Sequence, residues 1–223
     1  MDIKLTDLIL HVPNFLTNDQ CDLLISEFDK RQNEADLEHC NEATTNIDTY
    51  SSYHRVILQS GTPAFDLIQE LTETMIKRYM LYLDTFNSFH IGIRESMLYS
   101  HMYRLLKYEK GAKIHQHTDH DPYIYGSCTF NLNDNYEGGD FVFLKGGYRK
   151  KLGRGDAMIW PADFFWVHEV EEVTKGVRYS TNSFLQRIPN NLKNKVDEFV
   201  LKELLTENYE KPYNIPMQKV TRL

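Results

Sequence analysis

The densest cluster of metal-ligating side chains is His115-Gln116-His117-Thr118-Asp119-His120-Asp121. In an extended segment alternate side chains share a face, so His115, His117 and Asp119 are expected to point the same way. A His and a carboxylate two residues apart can grip one metal ion from one side. They supply two of the three ligands of the 2-His-1-carboxylate facial triad. The third must be a distant His on a neighbouring strand, and His168 is the only His after the cluster. Such a triad suits Fe(II). Three protein ligands on one octahedral face leave three open positions, two for an organic chelator and one for dioxygen.

A lone His-x-Asp recurs by chance in many chains; the weight here comes from residues further along the chain. Arg178 stands ten residues after His168 and Ser180 twelve, and the two share a face of one strand. A guanidinium beside a hydroxyl is a natural clamp for a carboxylate. An anion site near an open metal site reads as a pocket for a dicarboxylate chelator.

These residues need strands to hold them. Met97–Tyr108, Ile124–Leu132, Phe141–Leu144, Ala157–Trp160 and Val177–Leu185 read as strands, with turn signals between them and a glycine- and base-rich hairpin at Gly146–Gly155. Several short strands of this kind suggest an antiparallel sandwich or barrel. The first third reads helical. Thr17-Asn18-Asp19-Gln20 has the capping-box form, followed by Cys21, Leu24, Ile25 and Phe28 at helical spacing. Pro63 opens a second helix to about Asp84, with Phe65, Ile68, Leu71, Met75, Ile76, Tyr79 and Leu83 on one stripe. Residues 33–55 are polar and irregular and are expected to form a long loop. Asn191–Thr206 reads as a C-terminal helix. The expectation is an α+β fold with a jelly-roll core, in a single domain spanning 1–223: helical support over 1–95, the β core over 96–187, and a helix and tail over 188–223.

In these motifs the chain resembles the Fe(II)/2-oxoglutarate-dependent oxygenases, in their prolyl 4-hydroxylase-like branch. The matching pieces are Tyr108-Glu109-Lys110-Gly111, His117-Thr118-Asp119, Leu132-Asn133-Asp134 with Gly138-Gly139-Asp140, Gly155-Asp156-Ala157-Met158-Ile159-Trp160, His168, and Gly176-Val177-Arg178-Tyr179-Ser180. The resemblance runs from Tyr108 to Phe184 and implies a double-stranded β-helix. It implies that His117, Asp119 and His168 bind Fe(II). Arg178 would pair with the distal carboxylate of 2-oxoglutarate, where many prolyl hydroxylases have Lys. Tyr108 would hydrogen-bond the cosubstrate, and Ser180 would add a hydroxyl to the clamp. The implied reaction consumes dioxygen and 2-oxoglutarate, releases succinate and CO2, and hydroxylates a C–H bond, with ascorbate as a candidate auxiliary reductant. Orientation and exclusion of side reactions are then the protein's task, and no general base is needed. A proline in a protein or peptide is the substrate implied first, with a free amino acid or a nucleic acid as alternatives.

Some positions depart from the family pattern. Phe141 stands where many relatives place a Thr facing the cosubstrate. His115 and His120 flank the triad without belonging to the pattern, and are candidates for substrate contact or for support behind the ligands. Residues 120–126 are a candidate lid. Trp160, Phe164, Phe165 and Trp166 are candidate pocket walls.

Composition bounds the rest. The chain has 223 residues, 25 Lys+Arg against 32 Asp+Glu for a net charge of −7, and 41% apolar residues, enough for a real core. No apolar run nears the ~18 residues of a membrane span, and Met1–Val12 lacks a secretory h-region. Cys21, Cys40 and Cys128 form no CxxC pair and read as free thiols in a reducing, cytoplasmic setting. The acidic balance disfavours nonspecific nucleic-acid binding. The Lys145–Arg154 hairpin, with five basic residues and no acid, is a candidate receiver for an acidic peptide or a phosphate backbone.

Three rival functions fit parts of the pattern. A zinc hydrolase on the same ligands needs a base, for which Glu169 is the only neighbour in sequence, and leaves Arg178 without a task. A non-catalytic β-barrel would be favoured by loss of a ligand, and all three ligands are present. Oxidative demethylation of nucleic acid is opposed by the net charge and favoured by the hairpin.

Overall fold

The structure, a computed structural model, describes residues 3–41, 50–86, 96, 97, 99–120, 124–187, 218 and 219. Two helices lead the chain. In α1 (Asn18–Lys30) the Thr17 hydroxyl accepts from Gln20 N, and Gln20 Oε1 accepts from Thr17 N, closing the expected capping box. In α2 (Pro63–Asp84) Thr62 caps Phe65 N and Pro63 sits in the first turn, where its missing N–H costs nothing. All seven residues of the α2 stripe are buried.

The strands are β1 (Leu10–Val12), β2 (Asp36–Asn41), β3 (Tyr50–Ile57), β4 (Tyr99–Tyr108), β5 (Ile114–His117), β6 (Ile124–Phe130), β7 (Glu137–Gly138), β8 (Phe141–Phe143), β9 (Tyr148–Lys150), β10 (Ala157–Pro161), β11 (His168–Val170), β12 (Val173–Lys175), β13 (Arg178–Gln186) and β14 (Gln218–Lys219). A large sheet runs β1-β10-β6-β13-β4-β3-β2, with β14 pairing β4. A smaller sheet runs β5-β11-β8-β9, and β7 pairs β12. The pairings are antiparallel, and the two sheets face each other as a double-stranded β-helix.

Alternation along the large sheet divides the interior into two layers. On β4, Tyr103 and Leu105 pack under the helices, while Leu106 and Tyr108 face the smaller sheet. On β10, Ala157 and Ile159 go to the helices, and Met158 and Trp160 to the space between sheets. Each large side chain so buried contributes roughly 1.5–3 kcal/mol. The helices thus brace the outside of the sheet whose inner face carries the site.

Two expectations need correction or limit. Residues 33–55 hold a hairpin, β2–β3, added to the edge of the large sheet through β4. Its polar sequence hid this, because such a strand takes its stability from a partner ladder rather than from its own apolar pattern. The expected helix over 191–206 lies outside the described residues.

Candidate active site

His117 and His168 are directly opposite each other on β5 and β11, with ring centroids 4.3 Å apart. Asp119 lies just past β5, and its carboxylate bridges the two imidazoles: Oδ1 is 3.4 Å from His117 Nε2 and Oδ2 is 3.5 Å from His168 Nε2. One ligand atom from each lies within 4.8 Å of the others. Both rings are fixed in the same way. Nδ1 of His117 meets His115 O at 2.8 Å, and Nδ1 of His168 meets Trp166 O at 2.9 Å. A carbonyl can only accept, so each Nδ1 carries the proton and each Nε2 offers its lone pair to a metal. Phe143 stacks on His168 at 5.1 Å and Trp160 meets it edge-on at 5.3 Å.

The electrostatics agree with a cation site. Burial opposes the charge on His168 and lowers its pKa, only partly offset by Asp119. Burial also opposes the charge on His117, but its hydrogen bond to Asp119 and that group's charge win and raise its pKa. Burial works against the Asp119 anion too, and the two imidazoles outweigh it, holding the carboxyl well below the usual range. Asp119 Oδ2 has no hydrogen-bond partner. A cation among the three would satisfy that oxygen.

His115 does not join them. Between β5 and β11 the register slips: His168 opposes His117, but Val170 opposes Ile114. The extra residue on β5 is a bulge, which reverses the alternation. His115 therefore lines a surface cavity with Lys113, Glu169 and Glu171. Glu169 lies on that outer side, so it cannot act as base for a metal-bound water, and the zinc-hydrolase reading fails on geometry.

Arg178 opens β13 directly opposite Tyr108, and Ser180 is opposite Leu106. Arg178 is 1% exposed, and none of its three guanidinium nitrogens has a hydrogen-bond partner; neither does Ser180 Oγ. A buried, unpaired guanidinium is costly unless an anion joins it. Tyr108, His117, His168, Phe141, Trp160 and Ser180 line one small cavity. Phe141 puts its ring centre 5.3 Å from the guanidinium carbon, supplying an aromatic face on that side. Gly139 makes room. At φ +69° a Cβ there would stand 3.0 Å from Arg178 Cδ.

Residues matching the 2OG-Fe(II) oxygenase superfamily run from 103 to 186, a span that includes His117, Asp119, His168, Arg178 and Ser180. The chain carries a 2OG-Fe(II) oxygenase domain. Similar folds occur in a Pseudomonas putida prolyl-4-hydroxylase (TM-score 0.61, 18% identity, 81% of this chain and 93% of that one). A viral collagen prolyl hydroxylase from Paramecium bursaria Chlorella virus-1, solved with 2-oxoglutarate, gives TM-score 0.56 and 14% identity, over 82% and 97%. A Trichoplax adhaerens prolyl hydroxylase, solved with a hypoxia-inducible-factor peptide fragment, gives 0.61 and 11%, over 81% and 84%. No curated protein sequence matches significantly. The family implies Fe(II) and 2-oxoglutarate, and the oxygenase offers a His-Asp-His group and a buried unpaired guanidinium that fit them.

Other expected site residues fall differently in the oxygenase. Trp160 lines the cavity and Trp166 is buried, but Phe164 and Phe165 are exposed. His120 is exposed beside Phe164. Of the candidate lid, Ile124–Gly126 belongs to β6 and 121–123 lie outside the described residues. In the basic hairpin, Arg149 pairs with Glu171, Arg154 with Asp22 at 2.7 Å, and Lys151 lies over the Tyr136 ring. Sequence reasoning missed the amide network behind Arg178. Asn133 accepts from Tyr179 N and donates to Val177 O, and Asn131 donates to Asn133 O, together fixing the start of β13. The Leu132-Asn133-Asp134 motif was the signal for it. No helix among the described residues is long and apolar enough to cross a membrane.

Proposed function

We propose that this 2-oxoglutarate-dependent dioxygenase hydroxylates a C–H bond of a peptide or protein residue, with proline as the first candidate. His117, Asp119 and His168 hold Fe(II). Arg178 and Ser180 hold the distal carboxylate of 2-oxoglutarate, and Tyr108 hydrogen-bonds the cosubstrate from the opposite strand. Bound iron and 2-oxoglutarate supply the oxygen activation, with release of succinate and CO2. The chain's own residues orient and enclose: Nδ1–H bonds aim the two imidazoles, and Phe141, Phe143 and Trp160 keep water from the cavity.

The observation that carries this reading is the unpaired guanidinium of Arg178, buried in the interior that also holds the triad. The peptide bound to the Trichoplax adhaerens prolyl hydroxylase supports a peptide substrate. The buried free thiols Cys21 and Cys128 fit a reducing, cytoplasmic setting. The test is succinate release from 2-oxoglutarate by Fe(II)-loaded protein in air, with and without ascorbate and proline-containing peptides. Succinate that requires iron and oxygen and rises with a peptide is expected. Protein that binds iron and 2-oxoglutarate but is stimulated by no peptide would overturn the peptide assignment.

A further inference from the structure

Most polar side chains around the cavity that holds His117 and His168 are satisfied within the protein. Thr129 and Thr181 both line it; Thr129 Oγ1 donates to Thr181 O at 2.6 Å, and Thr181 Oγ1 accepts from Phe130 N at 3.0 Å. Two donors lining the same cavity, Ser180 Oγ and Trp160 Nε1, have no hydrogen-bond partner. Ser180 belongs to the proposed clamp for the distal carboxylate. Trp160 has no such task so far. It is 0% exposed, and its indole N–H can only donate. Burying an N–H without an acceptor is costly, which is why a buried Trp usually has a partner for it.

The neighbours of Trp160 explain why it finds none. Its ring meets His168 edge-on at 5.3 Å, Phe143 edge-on at 5.4 Å and Phe141 at 5.7 Å. The two phenyl rings carry no lone pair. His168 commits Nδ1 to Trp166 O, and its Nε2 lies 3.5 Å from Asp119 Oδ2 on the side of the triad. An acceptor for the indole has to come from a molecule in the cavity. Strand register shows which end of that molecule it meets. Trp160 is opposite Ser127 on β6, and Ser127 is opposite Phe184 on β13. Ser180 lies four residues from Phe184, or about 13 Å along the strand. Trp160 therefore stands at the metal end of the cavity, in contact with His168, while Ser180 and Arg178 stand toward the other end.

We propose that Trp160 is a further cosubstrate-binding residue of this oxygenase, and that its indole N–H donates to the carboxylate that 2-oxoglutarate presents to the metal. This rests on the oxygenase reading above. A carboxylate offers about four lone-pair sites, so one that ligates a metal still accepts a hydrogen bond. That bond is charge-assisted, and an indole packed among three rings loses little freedom in making it. The two ends of the dicarboxylate are then read by different donors: Arg178 and Ser180 at one, Trp160 at the other.

The test follows the indole N–H signals by NMR in protein carrying isotope-labelled tryptophan and loaded with Zn(II), which is diamagnetic and inert to dioxygen. The chain has two tryptophans, Trp160 and Trp166, so Trp160→Phe assigns both signals, and Trp166→Phe does so if the first variant fails to fold. Adding 2-oxoglutarate is expected to move the Trp160 signal downfield, and further than that of Trp166. The same addition to metal-free protein is expected to leave it in place. Trp160→Phe keeps an aromatic ring and removes the donor; it is expected to raise the Kd for 2-oxoglutarate about tenfold, with Zn(II) affinity that of the parent protein. A Trp160 signal that saturating 2-oxoglutarate does not move, or moves equally without metal, would overturn the assignment, as would an unchanged Kd in Trp160→Phe. A parent protein that takes up neither Zn(II) nor 2-oxoglutarate would instead overturn the oxygenase reading, and this assignment with it.

Discussion

The guanidinium carbon of Arg178 lies 4.8 Å from the centre of the Tyr108 ring, on the residue directly opposite it across β13 and β4. With Phe141 on another side, two aromatic faces hold a cation whose nitrogens have no hydrogen-bond partner. Removing it should cost the anion two charge-assisted bonds, about 3 kcal/mol together. Arg178→Ala is therefore expected to raise the KM for 2-oxoglutarate about a hundredfold, with metal affinity retained. Arg178→Lys should recover part of the loss, because a point charge keeps the attraction but not the bidentate fit. Cosubstrate titration of each variant checks this, and an unchanged KM in Arg178→Ala would move the clamp elsewhere.

The proposed metal centre makes a sharper demand. His168 is buried and has its Nδ1–H bound to Trp166 O. His168→Ala and Asp119→Ala are each expected to abolish stoichiometric Fe(II) or Mn(II) binding and all succinate release. Metal content after dialysis reads this directly. Full occupancy in both variants would exclude the three residues as the ligand set.

Gly139 is expected to tolerate no side chain. At φ +69° an L-residue is strained, and its Cβ would press on Arg178 Cδ at 3.0 Å and on Tyr136 at 3.1 Å. Gly139→Ala should weaken 2-oxoglutarate binding more than metal binding, because the clamp moves and the triad on β5 and β11 does not. Parallel titrations of the two ligands separate the effects. Equal loss of both would point to global destabilisation instead.

Asp156 predicts a pH dependence of stability. Its carboxylate accepts from His11 Nε2 at 2.8 Å, Asn14 N at 3.0 Å and Gly153 N at 2.9 Å, fastening β1 to the turn before β10. Burial alone would raise its pKa, but the His11 bond and the two backbone N–H groups outweigh it and lower it. A lowered folded pKa means stability that is present above the ordinary carboxylate value and lost as pH falls through the folded one. Asp156→Ala should cost about 2–4 kcal/mol at pH 7. The gap between variant and parent should narrow as pH falls below the ordinary carboxylate value of about 3.9. Urea unfolding at pH 7 and at a series of acid pH values measures it, and a gap independent of pH would remove the carboxylate from the account.

Much of this protein was legible in the chain because the determinants are local. Thr17 with Gln20, Pro63 and the seven-residue stripe of α2 specify their helices by caps and by period 3.6, within a few residues of sequence. The candidate ligands could be named because chemistry restricts their types: only a few side chains bind iron, and His168 is the sole His after the cluster. The tertiary structure decided what depends on a partner strand. A bulge opposite β11 turned His115 outward, and alternation within β5 could not foresee it. The β2–β3 hairpin exists through pairing with β4, and its polar sequence gives no sign of that. Which face a strand residue takes is fixed by pairing with its neighbours and not by its own identity.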